Sequence, residues 1–233
     1  MKRLVGQFRS WCIASITIGA QRFVDHTMRL FVALDIDAAI RQRLQEFVND
    51  LHARVPGVRF VGPETFHVTL KFLGETRQVE EIERALASVR GVPFEISFRG
   101  NGFFPAANRA RVFWAGIEAP GELQALAARI DEAARTLGFP PERGPYKPHL
   151  TLARPGSGNP RGKHGERPTG VPDKPAGGLL GWRDAGLQAI QQYLSGKPAP
   201  EFGTMTAHEF FLFESILSPR GATYRKVRRY PLT

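Results

Sequence analysis

The sequence predicts an α+β protein with a duplicated two-lobe fold, in which each lobe is an antiparallel sheet with helices packed outside it. Strand-like apolar alternation recurs along the chain between amphipathic helical segments. One short pattern also occurs twice, as His67-Val68-Thr69-Leu70 and His149-Leu150-Thr151-Leu152, each time within a strand-like run. The two copies are 82 positions apart (149 minus 67), which favours an internal duplication. Related lobes would bring the two copies face to face across an active-site cleft.

The predicted elements alternate between strands and helices. After a strand at 29–35, apolar residues at helical spacing predict a helix over 37–51, with Ile40, Leu44 and Val48 on one side. The later elements are a short strand at 58–61, the first pattern strand at 66–73, a helix at 79–89, strands at 94–98 and 111–117, a helix at 123–137, the second pattern strand after Pro148, a helix at 182–194, and strands at 206–217 and 224–230.

Two segments stand apart from this alternation. Residues 1–27 contain a basic start and a short apolar run that imitates a signal peptide, but Ser15 and Thr17 interrupt the run. We therefore expect a leader or a mis-assigned start outside the fold, and a single bilobal domain over residues 28–233. Residues 155–181 are rich in Pro, Gly and charge, which predicts a mobile loop that is either a lid or a tolerated insertion.

Composition narrows the class of protein. The chain has 233 residues and a formal net charge of +10, which favours a polyanionic partner without specifying one. Its single cysteine, Cys12, excludes an intramolecular disulfide and fits a cytoplasmic setting. No stretch is long and apolar enough to suggest a membrane span, and we expect a monomer.

The repeated pattern indicates acid–base chemistry on a phosphodiester. Side chains two positions apart share one face of a strand, so each copy offers an imidazole and a hydroxyl together. An imidazole titrates near neutral pH, so one histidine can accept a proton while the other donates one. A single copy would more simply be a structural histidine. Neither copy has a carboxylate or a third strong ligand beside it, and no glycine-rich phosphate loop occurs, so we expect no metal and no cofactor.

The chain resembles the two-histidine (2H) phosphoesterases, and within them the bacterial RNA 2′,3′-cyclic phosphodiesterases once called 2′-5′ RNA ligases. The resemblance rests on residues 66–74, 148–154 and 213–221 and on Tyr224. It implies hydrolysis of RNA 2′,3′-cyclic phosphate ends to 2′-phosphate ends, with reversible 2′-5′ RNA ligation as a second activity. It also implies that His67 is the acid that protonates the leaving 3′ oxygen and that His149 is the base that activates water.

Further residues are candidates for substrate binding. We expect Thr69 and Thr151 to donate hydrogen bonds to the non-bridging phosphate oxygens. Lys71 follows His67 by four residues and shares its face in a regular strand. The resemblance favours Arg154 as a phosphate ligand, although it follows His149 by five residues and would face the other way unless the strand bulges. Tyr146, near the predicted cleft edge, is a candidate for stacking on a base, as are Phe60 and Phe104.

Two alternatives remain open at this point. The same chemistry would serve a cyclic nucleotide or a 2′-5′-linked oligonucleotide, and the same fold could be a non-catalytic RNA-binding module. A basic cluster near the C-terminus either holds the RNA backbone or forms a solvated edge; its members are Arg220, Arg225, Lys226, Arg228 and Arg229.

Overall fold

Two antiparallel sheets form the framework of this computed structural model. It describes residues 27–55, 58–142, 144–155, 179–219 and 221–233. All of the predicted leader except Thr27 lies outside the described residues, and so do residues 156–178 of the predicted loop.

The strands and helices largely follow the predicted order. They are β1 Met28–Leu34, α1 Ala38–Arg54, β2 Arg59–Phe60, β3 Val68–Thr76, α2 Val79–Ala87, β4 Phe94–Phe104, β5 Val112–Glu118, α3 Gly121–Arg135, β6 His149–Arg154, α4 Leu179–Leu194, β7 Glu201–Ala207, β8 Glu209–Ser218 and β9 Gly221–Pro231.

The strand order of the sheets confirms the predicted duplicated architecture. The first sheet has the order β3-β1-β8-β9 and the second has the order β2-β6-β5-β4-β7. If the two-residue strand β2 is set aside, each sheet has four strands, with β3 at the edge beside β1 in the first and β6 at the edge beside β5 in the second. Each pattern strand, β3 or β6, therefore occupies the same place in its sheet.

The prediction of a single strand at 206–217 is wrong, because the structure has two strands there, β7 and β8, with His208 between them. The first of them, β7, begins at Glu201, before the predicted start. Gly203 lies in β7 with φ of 104°, a left-handed conformation that interrupts the apolar alternation on which a strand prediction depends. In addition, β4 extends to Phe104, beyond the predicted end at residue 98.

Strand β1 divides the interior into two apolar regions. Leu30, Val32 and Leu34 point into the main core, which also contains buried residues of the second sheet and of the helices. Phe31 and Ala33 point to the opposite face, where they form a smaller cluster with Phe211 and Phe213 of β8. The first sheet therefore has one face on the core and one face toward the predicted cleft.

The helices pack on the core side and join the two lobes. Helix α3 lies against β3 and α2, whereas α1, which follows β1 along the chain, packs against β7 of the second sheet. Because α1 packs on the second sheet and α3 packs on the first, the two lobes share one continuous core. No helix in the described part of the chain combines the length and the apolar character that crossing a membrane requires.

Candidate active site

The two histidines of the repeated pattern line one cavity between the sheets. Its volume is about 550 Å³, and the first sheet supplies His67 and Thr69 while the second supplies His149, Thr151 and Arg154. The structure therefore brings together five of the six candidate catalytic and phosphate-binding residues, all except Lys71.

Each imidazole is held by the carbonyl two residues before it. His67 Nδ1 lies 2.6 Å from the Thr65 carbonyl oxygen, and His149 Nδ1 lies 2.8 Å from that of Lys147. A carbonyl oxygen only accepts hydrogen bonds, so in both rings Nδ1 carries a proton and donates. In the neutral imidazoles Nε2 is then the unprotonated nitrogen. The Thr69 hydroxyl, 3.0 Å from His67 Nε2, donates to it.

The turn that supplies the Thr65 carbonyl is itself anchored. The Arg41 guanidinium of α1 donates to the carbonyl oxygens of Pro63 and Phe66 on either side of that turn. It also pairs with Asp35 at 2.7 Å, at the end of β1. One arginine thus connects the helix, the first strand and the turn before His67.

A bulge in each pattern strand decides which cation reaches the cavity. Thr69 and Lys71 of β3 pair with the consecutive residues Ala33 and Val32 of β1, so Leu70 is an extra residue between them. In β6, Thr151 and Ala153 likewise pair with consecutive residues of β5. An extra residue reverses the alternation of side chains beyond it.

The prediction that Lys71 shares the face of His67 is therefore wrong. Lys71 points into the interior, where its side chain is 2% exposed and its Nζ lies 2.7 Å from Asp131 and 3.3 Å from Glu142. It also donates to the Pro140 carbonyl at 2.7 Å. The bulge in β6 has the opposite consequence, because it turns Arg154 into the cavity.

Burial controls the titration of both histidines. The pKa of His67 is lowered from 6.5 to about 4, chiefly by burial; the Thr65 hydrogen bond and the charge of Asp35 oppose this, and the positive charges of Arg154 and His149 add to it. Burial also lowers the pKa of His149, with Arg154 acting in the same direction and the Lys147 hydrogen bond opposing it. In the free protein at neutral pH, His67 is consequently an uncharged imidazole.

The aromatic candidates do not all reach the cavity. Tyr146 is absent from its described lining and donates its hydroxyl to the Thr69 carbonyl at 2.8 Å, while burial raises its pKa. Phe60 packs against the core and is also outside that lining. Phe104 is the candidate that approaches the site, since its ring lies edge-on to His149 with centroids 4.9 Å apart.

The basic side chains near the C-terminus that the structure describes, all in β9, form ion pairs with carboxylates. Arg225 pairs with Glu214, Lys226 with Asp35, Arg228 with Glu83 and Arg229 with Glu209. Arg220 lies outside the described residues. These pairings favour the solvated-edge interpretation over contact with an RNA backbone.

Several cavity residues were not candidates from the sequence. Tyr224 of β9 stands perpendicular to the His67 ring at 5.1 Å, and Phe31 lies 4.9 Å from the same ring. Arg29 and Phe72 also line the cavity. Arg29 shares a β1 face with Phe31, which alternation indicates, but only the bulge in β3 turns Phe72 outward.

Within the described ranges, no group of three or more His, Cys, Asp or Glu side chains is placed to hold a metal ion.

Two imidazoles and an arginine around one cavity between similar antiparallel sheets define a phosphoesterase of the two-histidine class. A family model described as LigT like phosphoesterase matches residues 34–114 and 117–165. The chain belongs to this LigT-like phosphoesterase family, as the resemblance of its motifs predicts.

Relatives and solved structures agree with this assignment. The chain is 36% identical over 203 residues to an RNA 2′,3′-cyclic phosphodiesterase of Archaeoglobus fulgidus, covering 86% of this chain and 98% of that protein. It is 41% identical over 177 residues to the protein of that name from Aeropyrum pernix, covering 75% and 85%. The fold matches E. coli LigT complexed with 3′-AMP with a TM-score of 0.64 at 23% identity, over 89% of this chain and 99% of that one.

Proposed function

We propose that this protein hydrolyses the 2′,3′-cyclic phosphate ends of RNA to 2′-phosphate ends by two-histidine acid–base catalysis. The observation that carries the proposal is the matched pair of imidazoles, each fixed through Nδ1 by a carbonyl, in one cavity with Arg154. The names of the relatives supply the substrate class.

The proposed reaction is an in-line displacement at phosphorus. His149 takes a proton from water as the water oxygen bonds to phosphorus. His67 gives its proton to the 3′ oxygen as the P–O3′ bond breaks, which leaves the phosphate on the 2′ oxygen. Each proton transfer contributes about 10²–10⁴-fold to the rate. When a 5′-hydroxyl attacks in place of water, the same step forms a 2′-5′ phosphodiester as the P–O3′ bond breaks, and the two histidines exchange roles when that step runs in reverse.

The bound phosphate supplies the charge that keeps a proton on the acid. Burial, Arg154 and His149 hold the pKa of His67 low in the free protein. A negative phosphodiester among these groups stabilises the imidazolium and offsets the positive field of Arg154. We therefore expect His67 to gain its proton when substrate binds.

The threonines and Arg154 act on the non-bridging oxygens in this proposal. Once His67 Nε2 is protonated it no longer accepts the Thr69 hydroxyl, which can then donate to a phosphate oxygen. Thr151 and Arg154 contribute donors from the second sheet. Charge builds up on these oxygens as phosphorus becomes five-coordinate, so fixed donors lower the barrier.

The proposal is tested with an oligonucleotide that ends in a 2′,3′-cyclic phosphate. We expect His67→Ala and His149→Ala each to lower kcat by about 10³-fold or more, with the 2′-phosphate as the sole product of the wild-type protein. EDTA should not change the rate. His208→Ala, which removes a histidine outside the cavity lining, is the matched control.

Turnover that persists in both cavity variants would overturn the roles of the two histidines. Loss of activity in EDTA, restored by a divalent cation, would overturn the metal-independent mechanism. Tight binding of the oligonucleotide by the wild-type protein without any product would show a binding module instead of an enzyme.

A further inference from the structure

The cavity contains two arginines without ionic partners. Arg154 and Arg29 line it, and neither side chain forms an ion pair or a hydrogen bond with any residue that the structure describes. Glu75 lies opposite Arg29 on β3 in the strand register, yet the two side chains do not pair. A cyclic phosphodiester carries one negative charge, which can pair with one of these arginines. The other arginine is then left without an anion.

Arg29 enters the cavity at a different level of β1 from the threonine of the catalytic pattern. Thr69, the hydroxyl beside His67, is in register with Ala33, four residues after Arg29. At the rise of a strand this separation is about 13 Å. Phe31, between them, is the β1 residue whose ring contacts His67. The backbone of Arg29 therefore lies on the opposite side of Phe31 from Thr69, where its guanidinium can reach an anion beside the reacting phosphate.

The rest of the cavity lining on the first sheet is apolar and open. Phe72 is 60% exposed and Leu217 is 62% exposed, although both are large apolar side chains. Together with Tyr224 they line the same cavity as the histidines. Burial raises the pKa of Tyr224, and the charges of Arg154 and Arg29 both oppose this, so both cations act on the phenol that contacts the His67 ring. A sugar and a base fit such a surface.

We infer that Arg29 binds the phosphodiester that joins the terminal nucleotide to the rest of an RNA chain. The cavity then selects RNA ends over free cyclic mononucleotides. This inference rests on the proposed function. Its physical basis is a charge-assisted hydrogen bond from an unpaired guanidinium to a second phosphate, separated from the first by one nucleotide.

Three substrates with the same reacting group test the inference. They are uridine 2′,3′-cyclic phosphate, its 5′-phosphorylated form, and the dinucleotide UpU ending in a 2′,3′-cyclic phosphate. We expect the wild-type protein to show a higher kcat/KM on the second and third, because both place an anion on the 5′ oxygen. Arg29→Gln should reduce this preference by on the order of tenfold, and Arg29→Lys should restore part of it.

Arg84→Gln is the matched control, because it removes an exposed arginine of α2 that is outside the cavity lining. It should leave the substrate preference unchanged. Circular dichroism of each variant verifies folding. The inference is overturned if the wild-type protein shows no preference for the substrates with a 5′ phosphate. It is also overturned if that preference survives in Arg29→Gln, or if it falls equally in Arg84→Gln. Hydrolysis of all three substrates without preference overturns it while the proposed function stands, whereas hydrolysis of none overturns the function.

Discussion

At the scale of single residues, each histidine is prepared for its role by one hydrogen bond and by burial. The carbonyls of Thr65 and Lys147 fix the proton on Nδ1 in both rings. The second nitrogen of each ring is then the one that exchanges protons with substrate. The sequence pattern indicates the imidazoles, but it does not show the carbonyl that holds each of them.

The low pKa of His67 predicts a pH dependence of stability. An unfolded histidine binds a proton below about pH 6.5, whereas folded His67, with its pKa lowered to about 4 by burial, remains neutral until that pH. The unfolded state therefore binds more protons as the pH falls through this window, and the folded state loses stability. Between pH 7 and pH 5 we expect the free energy of unfolding to lose about 1–2 kcal/mol from this group.

Urea unfolding of the wild-type protein and of His67→Asn measures this contribution. Asparagine keeps a donor for the Thr65 carbonyl but does not titrate in this range. The other described histidines are common to both proteins, so the difference between the two curves isolates His67. Parallel curves from pH 7 to pH 5 would show that His67 titrates normally in the folded protein.

At the scale of elements, the two bulges set the chemistry of the cavity. Lys71 and Ala153 are equivalent positions, four residues after each histidine, and both turn inward; Phe72 and Arg154, five residues after, both turn outward. Strand alternation correctly places His67 with Thr69. It fails beyond the threonine because a bulge depends on the register of the neighbouring strand, which one strand's sequence does not specify.

The buried Lys71 predicts a large effect on stability and a small one on turnover. Lys71→Ala leaves Asp131 and Glu142 without their cation and opens a void in the interior. Because both carboxylates keep some contact with solvent, we expect the free energy of unfolding to fall by about 2–4 kcal/mol. Urea unfolding measures this loss.

Lys71→Met separates the two roles that this lysine could have. Methionine fills most of the same volume without the charge, so the variant should be more stable than Lys71→Ala. Its kcat below the unfolding transition should stay within a few-fold of the wild-type value, since Lys71 does not line the cavity. A folded Lys71→Met protein with kcat reduced about 10²-fold would restore the expectation that this lysine contacts phosphate.

At the scale of the whole molecule, the duplication is visible in the sequence only through its motifs. The spacing of His67 and His149 predicts two related lobes, and the matching strand orders confirm them. The sequence does not indicate that β8 and β9 return to the first sheet, because pairing between distant strands leaves no local pattern. That return brings Tyr224 to the cavity and completes its wall beside His67.

The distribution of charge predicts a weak dependence of activity on salt despite the net charge of +10. Each phosphate that a protein neutralises on a single strand changes the slope of log K against log salt by about −0.7. With Arg154 and Arg29 as the unpaired arginines of the cavity, we expect a slope of log(kcat/KM) against log [KCl] of about −1.4 for an oligonucleotide ending in a cyclic phosphate. Uridine 2′,3′-cyclic phosphate is a single anion without a condensed layer of counterions, so its slope should be shallower than that of the oligonucleotide.

The paired basic residues of β9 supply the control for this measurement. Arg225 and Arg229 are held by Glu214 and Glu209, so their replacement by Gln should leave the slope unchanged. If these residues left their carboxylates to follow the RNA backbone, the oligonucleotide slope would reach about −3 and would flatten in the Gln variants. If the slopes for both substrates are shallow and the oligonucleotide slope changes in Arg29→Gln, the electrostatic contact with RNA lies inside the cavity. The net charge of the protein attracts a polyanion from a distance, but unpaired cations bind it.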